Sequence, residues 1–552
     1  MKMKKNYVIM AAMAFASLGQ SLGQSNLGSD CGCPTPVSSR PTVLVSTLAT
    51  IGGAGDGELI ANNTIFDCSK TWILDKKIYV PTGKTLTIMP GTVIKGNAGT
   101  AANATALTVE VGGKIFASGT PTCQIVFTAA ADNLDGTFPI ASNGQWGGVC
   151  IAGKASNNLT LAANGPFQAG VGDGRLCVAD GIGTFEGFAS TNSKDQFGVA
   201  PAQFDDNDNS GILRYVSIRH AGAILQVGGE LNGLSLGSVG RGTTIDHIEI
   251  VSSADDGIEF WGGTVNIKYY TSLFGNDDMF DWDDGYSGKV QFVFGLKTDT
   301  MANKDADNGF EMDADDQKSN LTPRSHPVIY NATLIGNNKP SLTSDNSGIA
   351  AIEAKELTEG EIYNSVFANW RYGLNLIKSL STRAGTSESY HNWANTGGNG
   401  SNSLKIMCNT FMNCTKTIAI DKNGPGIVSF SDSTQFFTTD GNISLASIPG
   451  FDNVFSVNNT TNVISHQIDA VPNPALSTTG CPTVPVDGFY TTANYRGAFD
   501  ANGQSWLSPW AYSVVLGSLS GLQPCPTDLN SDGLTNNIDF LQLLGKFNQS
   551  CK

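Results

Sequence analysis

Charge is what this chain has little of. Only 15% of its 552 residues are Asp, Glu, Lys or Arg, and histidine occurs 5 times. Helical bundles coat their faces with Glu, Lys and Ala, so a small charged fraction beside 64 glycines favours a turn-rich β architecture. A basic surplus is missing too. The formal net charge of -16 argues against a nucleic-acid partner, because a phosphate backbone demands a basic face. No apolar run is long enough to span a bilayer. The 11 cysteines and scattered histidines show no paired spacing of zinc ligands, which argues against a structural zinc site.

What is present begins with an address. Lys2, Lys4 and Lys5 precede an apolar run from Tyr7 to Leu18 and then small residues, the pattern of a signal peptide over 1–23. Cys31 follows soon after, but the preceding GSD is a poor lipobox, so a soluble secreted or surface-associated protein is expected. In an oxidising compartment cysteines pair. Cys525 and Cys551 bracket the last segment, Cys408 and Cys414 lie close together, and the odd count leaves one over. Residues 24–70 read as a linker and N-terminal cap region. Phe185 to Phe204 reads as a large loop.

The body, 71–515, is repetitive. One column of segments runs NGLSL (232–236), DGIEF (256–260), DMFDW (278–282), NGFEM (308–312) and YGLNL (372–376). Between them stand LRYVSI, IDHIEI, VNIKYY, VQFVFG, VIYNAT, EIYNSV and LKIMCN. A unit of about 22 to 24 residues with short strands and no helical period predicts an all-β fold, a parallel β-solenoid. The LxxLxLxxN frame of leucine-rich repeats is absent. Alternation then points Ile258, Phe260, Phe280, Trp282, Phe310 and Met312 inward and Glu259, Asp281 and Glu311 outward in a file. Asn331 and Asn364 fall at equivalent places and read as a structural asparagine stack.

Coils about 4.8 Å apart bring like charges of that file into repulsion. Beside it run the turn acids Asp255, Asp256, Asp277 and Asp278, then Asp283, Asp284, Asp313, Asp315 and Asp316. Three things could offset them: Lys268, Lys289 and Lys297 from neighbouring strands, a bound cation, or raised carboxylate pKa values. Calcium is the natural cation because it takes six to eight oxygens in flexible geometry. Catalysis is the other reading. Asp255, Asp256, Asp277 and Asp278 are the candidates, since a glycoside hydrolase needs a pair of carboxyls. A polysaccharide lyase would need calcium and a base, for which Arg214, Arg219, Arg241 and His220 lie near the right coils. His220 and His247 also fit as ordinary satisfied histidines.

The tail, 525–551, carries the most specific motif, DLNSDGLTNNID. Asp528, Asn530, Asp532, the Leu534 carbonyl, Asn536 and Asp539 fall at the ligand positions of an EF-hand loop, with Gly533 at its turn. FLQLLGKF follows at helical spacing. The segment resembles a dockerin repeat, in which position 12 is Asp. Dockerins pair two copies and one is present here, which speaks against a cohesin partner.

PTGKTLTIMPGTVIKG, GQWGGVCIAGKA, DNDNSGILRYVSIRHAG and NYRGAFDANGQSW together resemble a large family of exported proteins from Bacteroidetes-type bacteria. The resemblance implies a right-handed parallel β-helix and export, and brings no catalytic residues. The expectation is a secreted or surface-associated calcium-binding β-helix that acts as a binding or adhesion module, with polysaccharide as a candidate partner. A polysaccharide lyase or hydrolase and a passive structural protein are the alternatives.

Overall fold

Short strands leave their backbone N–H and C=O groups unpaired at both edges, so they need neighbours above and below. The computed structural model meets that need by winding the chain into a right-handed parallel β-helix with 17 strands in a long sheet and 12 in a short one. It describes residue 27 and residues 29–512, apart from 54, 165–176, 189–191, 227–228, 298–307, 315–320, 338–349, 379–388, 395–402, 421–427, 452–455, 459–460, 467 and 502–504. The expected signal peptide, Asp315, Asp316, Cys525, Cys551 and the whole calcium loop lie outside the described residues. No helix among the described residues is long and apolar enough to cross a membrane.

Each coil gives one strand to the short sheet and either one bent strand or two strand segments to the long sheet. In the short sheet Phe260 faces Trp282 of the next coil, and Phe280 faces Phe310. The six inward residues read from the repeat are all fully buried. Phe260 and Phe280 meet at 4.9 Å between ring centres, and Phe280 and Phe310 at 5.7 Å. Truncating such a ring to alanine costs about 3–5 kcal/mol. The glycine in NGLSL and DGIEF serves close approach. A methyl at Gly257 would stand 2.7 Å from the Met279 carbonyl oxygen, and one at Gly233 would stand 2.8 Å from that of Gly257.

The bend in the long sheet falls on one residue per coil in the left-handed conformation. Tyr215, His247, Tyr269, Phe292, Asn331, Asn364 and Cys408 hold φ between 49° and 61°. That conformation costs an L-residue about 1–2 kcal/mol. Here the rings offset it by stacking, Tyr215 on His247 at 4.2 Å, His247 on Tyr269 at 4.3 Å and Tyr269 on Phe292 at 5.2 Å. Asn331 and Asn364 continue the same file, as a structural stack requires. The Asn331 amide donates to the Tyr495 carbonyl at 2.9 Å.

Long-range parts of the fold depart from the repeat reading. The expected linker already carries strands at Thr42–Leu44, Gly57–Leu59 and Asn63–Phe66, tied down by the Cys31–Cys123 and Cys33–Cys68 disulfides. Cys408 pairs with Cys481, 73 residues away, rather than with Cys414, which is free. The loop after Gly181 folds back as a two-stranded flap, Ile182–Thr184 with Gln196–Gly198. Its Phe185 and Phe197 pack on Trp261. The last coil strand is Ile443–Leu445. Beyond it, residues 496–501 and 505–512 pack over the long sheet as a strap. Arg496 meets Asn409, the Gly497 N–H reaches Asn364, Phe499 packs on Phe294, and Trp510 packs on Tyr215.

Candidate functional site

Asp256 and Asp278 occupy the turns that lead from the long sheet into the short one, with Asn232 and Asn308 at the same place in the flanking coils. Their side chains form a ladder. The Asn232 Oδ1 accepts the Asp256 N–H at 3.1 Å, and the Asp256 Oδ1 accepts the Asp278 N–H at 2.9 Å. The Asp278 Oδ1 accepts the Asn308 N–H, and the Asn308 Oδ1 accepts the Ala350 N–H at 3.2 Å. An asparagine oxygen does this work at both ends, so the hydrogen bonds do not require a charge. Two carboxyl groups stand there all the same.

Next to the ladder runs the outward file of the short sheet. Parallel register places Ser235, Glu259, Asp281, Glu311, Glu353 and Asn375 at equivalent positions of successive coils. Glu259, Asp281 and Glu353 are less than a tenth exposed, so the file points outward yet is largely shielded from water. Amide groups close both ends. The Asn232 Nδ2 donates to Glu259 at 2.6 Å, and the Asn375 Nδ2 to Glu353 at 2.9 Å.

Ladder and file meet in three carboxylate triads: Asp255, Asp256 and Asp277; Asp256, Glu259 and Asp281; and Asp278, Asp281 and Glu311. In each triad the candidate oxygens lie within 4.8 Å of one another. Seven of the acids singled out from the repeat thus come together, while Asp283, Asp284 and Asp313 are in none of the three triads. At that spacing two carboxylates repel by roughly 3 to 4 kcal/mol at an effective dielectric of 20. Asp256 shows the result. Burial, and then the charges of Asp281, Asp255, Asp278 and Asp277, raise its pKa well above the usual carboxylate value.

The lysines that answer the acids differ from those expected. Lys268 and Lys289 stand on the long sheet, where Lys268 donates to the Phe489 carbonyl at 2.7 Å and Lys289 pairs with Asp487. Lys297 does reach the cluster, through the Asp277 carbonyl. Lys355, which the repeat reading passed over, pairs with Glu311 at 3.1 Å and Asp313 at 3.3 Å. Burial opposes its charge, but Asp313, Glu311, Glu353 and Asp281 raise its pKa well above the ordinary value. Glu353 was passed over as well. The signal was there in AAIEAK, whose alternation matches DGIEF.

The expected lyase bases are committed elsewhere. Arg214 holds Asp246 through Nε at 2.9 Å and Nη2 at 2.6 Å. Arg219 is buried, donates to Ser217 and lies over the Tyr512 ring. Arg241 faces Asp206 at 3.7 Å. His220 is a buried left-handed corner whose Nδ1 lies 2.7 Å from the Ser142 carbonyl oxygen. Burial pushes its pKa down to about 4.

An all-oxygen donor set suits a hard cation. Oxygens sharing one calcium at about 2.4 Å stand at most about 4.8 Å apart. Each triad satisfies that limit. Such an ion would lower the repulsion from Asp281, Asp255, Asp278 and Asp277 that raises Asp256.

A family model described as a pectate-lyase-like β-helix domain matches residues 57–447, more than half of the chain. The chain belongs to that family. No curated protein matches it. The matched span begins within the region first read as a linker and takes in every acid of the three triads, so this pectate-lyase-like β-helix carries its acidic cluster inside the matched span and not on an appendage.

Proposed function

We propose that the protein is an exported calcium-binding β-helix whose acidic flank engages polysaccharide through the bound cation. One observation carries the reading: Asp256 and Asp278 add charge where asparagine meets the same backbone need one coil away. The triads they build offer calcium its preferred ligands. A cation held at the half-buried edges of the triads, beside Asp255 and Asp277 or beside Glu311, can be shared with carboxylates of an anionic polymer, which gives calcium-dependent adhesion. The three disulfides among the described residues and the leader-like N-terminus support a working place outside the cell. The tail loop, Asp528 to Asp539, supports a second, independent calcium site on sequence grounds.

The test is retention of the mature protein by a panel of anionic and neutral polysaccharides, in calcium and in EDTA. Retention by an anionic polymer in calcium alone supports the proposal, and retention indifferent to calcium refutes it. The family description favours a second reading, lyase action, which the same panel decides through new reducing ends and unsaturated products. Against it, Arg214, Arg219, Arg241 and His220 are engaged away from the acids, and among the described residues the bases that reach them are Lys355 and Lys297.

A further inference from the structure

Arg496 opens the strap as a buried cation whose hydrogen bonds end on neutral groups. Its Nε donates to the Ser477 carbonyl at 3.0 Å, and its Nη1 to the Asn409 carbonyl at 3.0 Å and the Thr410 hydroxyl at 3.3 Å. Nη2 meets sulfur instead, 3.5 Å from Cys481 Sγ. Cys481 is bridged to Cys408, a left-handed corner of the long sheet. Burial lowers the pKa of Arg496, and among the described residues no carboxylate bonds to it to offset that. Such a cation gains whenever negative charge forms beside it. The Cys481 sulfur can supply that charge once its bridge is opened.

The other two bridges differ. Arg40 is also buried, beside the N-terminal cysteines, but its bonds end on the Leu27, Pro34 and Gly91 carbonyls. Access does not set the bridges apart, since Cys31 is exposed and Cys68 and Cys481 are half-buried. The charge does. A cation beside a cysteine lowers its pKa, and a bridge whose reduced form is stabilised in this way is the stronger oxidant.

We propose that Cys408–Cys481 is a thiol-exchange site, opened by dithiols ahead of the other two bridges because Arg496 stabilises the Cys481 thiolate. One thiolate of the dithiol attacks the half-buried Cys481 Sγ and forms a mixed disulfide. The bridge breaks, and Cys408 leaves with the electron pair and takes up a proton. The second thiolate then attacks the dithiol sulfur of the mixed disulfide and expels Cys481 as a thiolate beside Arg496. The protein gains two electrons, and the dithiol is oxidised to its disulfide. Val484 and Tyr490, which follow Cys481, pack on Tyr330 and Tyr363 of the long sheet, so the opened bridge frees one end of that cover. The site uses no metal and does not depend on the calcium reading.

The experiment equilibrates the full chain with graded ratios of reduced to oxidised dithiothreitol, alkylates the thiols and reads each bridge by peptide mass spectrometry. Cys408–Cys481 is expected to open at a ratio about tenfold lower than Cys31–Cys123 or Cys33–Cys68. In the opened protein Cys481 should alkylate with a pH midpoint below the ordinary thiol value of about 8.5. Arg496→Gln should make the bridge harder to open and return that midpoint to the ordinary value, while Arg496→Lys, which keeps the charge, should lie nearer the wild type. If Arg496 served only to hold the strap, its loss would loosen the fold and make the bridge easier to open. That result overturns the proposal. So does an Arg496→Gln variant with both readouts unchanged, and so does opening of another bridge first or of all three together.

Discussion

Glu359 and Glu361 on the long sheet and Asp256 beside the short one are all carboxylates crowded by other titrating groups, yet they titrate in opposite directions. Around the two glutamates the bases match the acids. His326 lies 3.2 Å from Glu359 and 3.5 Å from Glu361, Arg324 pairs with Glu359 at 3.1 Å, and Lys405 with Glu361 at 2.8 Å. The His326 bond comes first among the causes that lower Glu361 to about 2, while the two glutamates raise His326 to about 9. Around Asp256 the neighbours are acids, and its pKa rises. In the first cluster the partners are basic side chains; in the second, acids surround acids, and the partner proposed for them is an ion.

The sharpest way to break this contrast is to add the ion. Calcium at a thousand times its dissociation constant should stabilise the protein by about 4 kcal/mol. Thermal melts in calcium and EDTA read that shift. In Asp256→Asn with Asp281→Asn most of it should vanish, while the metal-free melting point does not fall, because an asparagine at 256 keeps the ladder bond. A double variant that melts lower and still responds fully to calcium would put the ion elsewhere.

The next test is pH. Folded and metal-free, Asp256 holds a proton that the unfolded chain releases above its ordinary value of 3.8, so stability falls as pH rises from there. Calcium should flatten that fall. Glu361 works the other way. Its contribution is present above 4.5 and is lost as pH falls through about 2. That of His326 is full below 6.5 and lost as pH rises through about 9. Urea unfolding across this range, with calcium and with EDTA, separates the two clusters, since only the Asp256 cluster should change with the metal.

The smallest expected effect comes from Glu361→Gln. It removes a carboxylate from a partly exposed network and should cost roughly 1 kcal/mol in urea unfolding, equally in calcium and in EDTA. A calcium-dependent loss there would erase the distinction between the clusters.

Sequence made the coil legible because its period is written in side-chain types: an apolar residue, an acid and an aromatic, repeated, fixed both the inward core and the register of Glu259, Asp281 and Glu311. Glu353 and Lys355 escaped because the chain between Met312 and Ala350 is longer than one unit, and insertion hides a period. Asn232 and Asn308 escaped for a different reason. An asparagine before glycine reads as a turn, and only stacked coils show that its oxygen holds the next coil's N–H. Lys268 and Lys289 were assigned to the acids by proximity in sequence, whereas the strand that carries them belongs to the other sheet. The strap and the Cys408–Cys481 pair join residues that no local pattern connects.

That strap also alters how the molecule should come apart. A stack in which each coil touches only its neighbours unravels from its ends, one unit at a time. Residues 496–501 and 505–512 cross that order, contacting Asn409 near the last coil, Asn364 and Phe294 further back, and Tyr215 near the middle of the stack. Fraying at the C-terminal end must therefore loosen a segment packed several coils away. Opening there becomes a shared event, and the C-terminal half of the helix should melt in a single cooperative step.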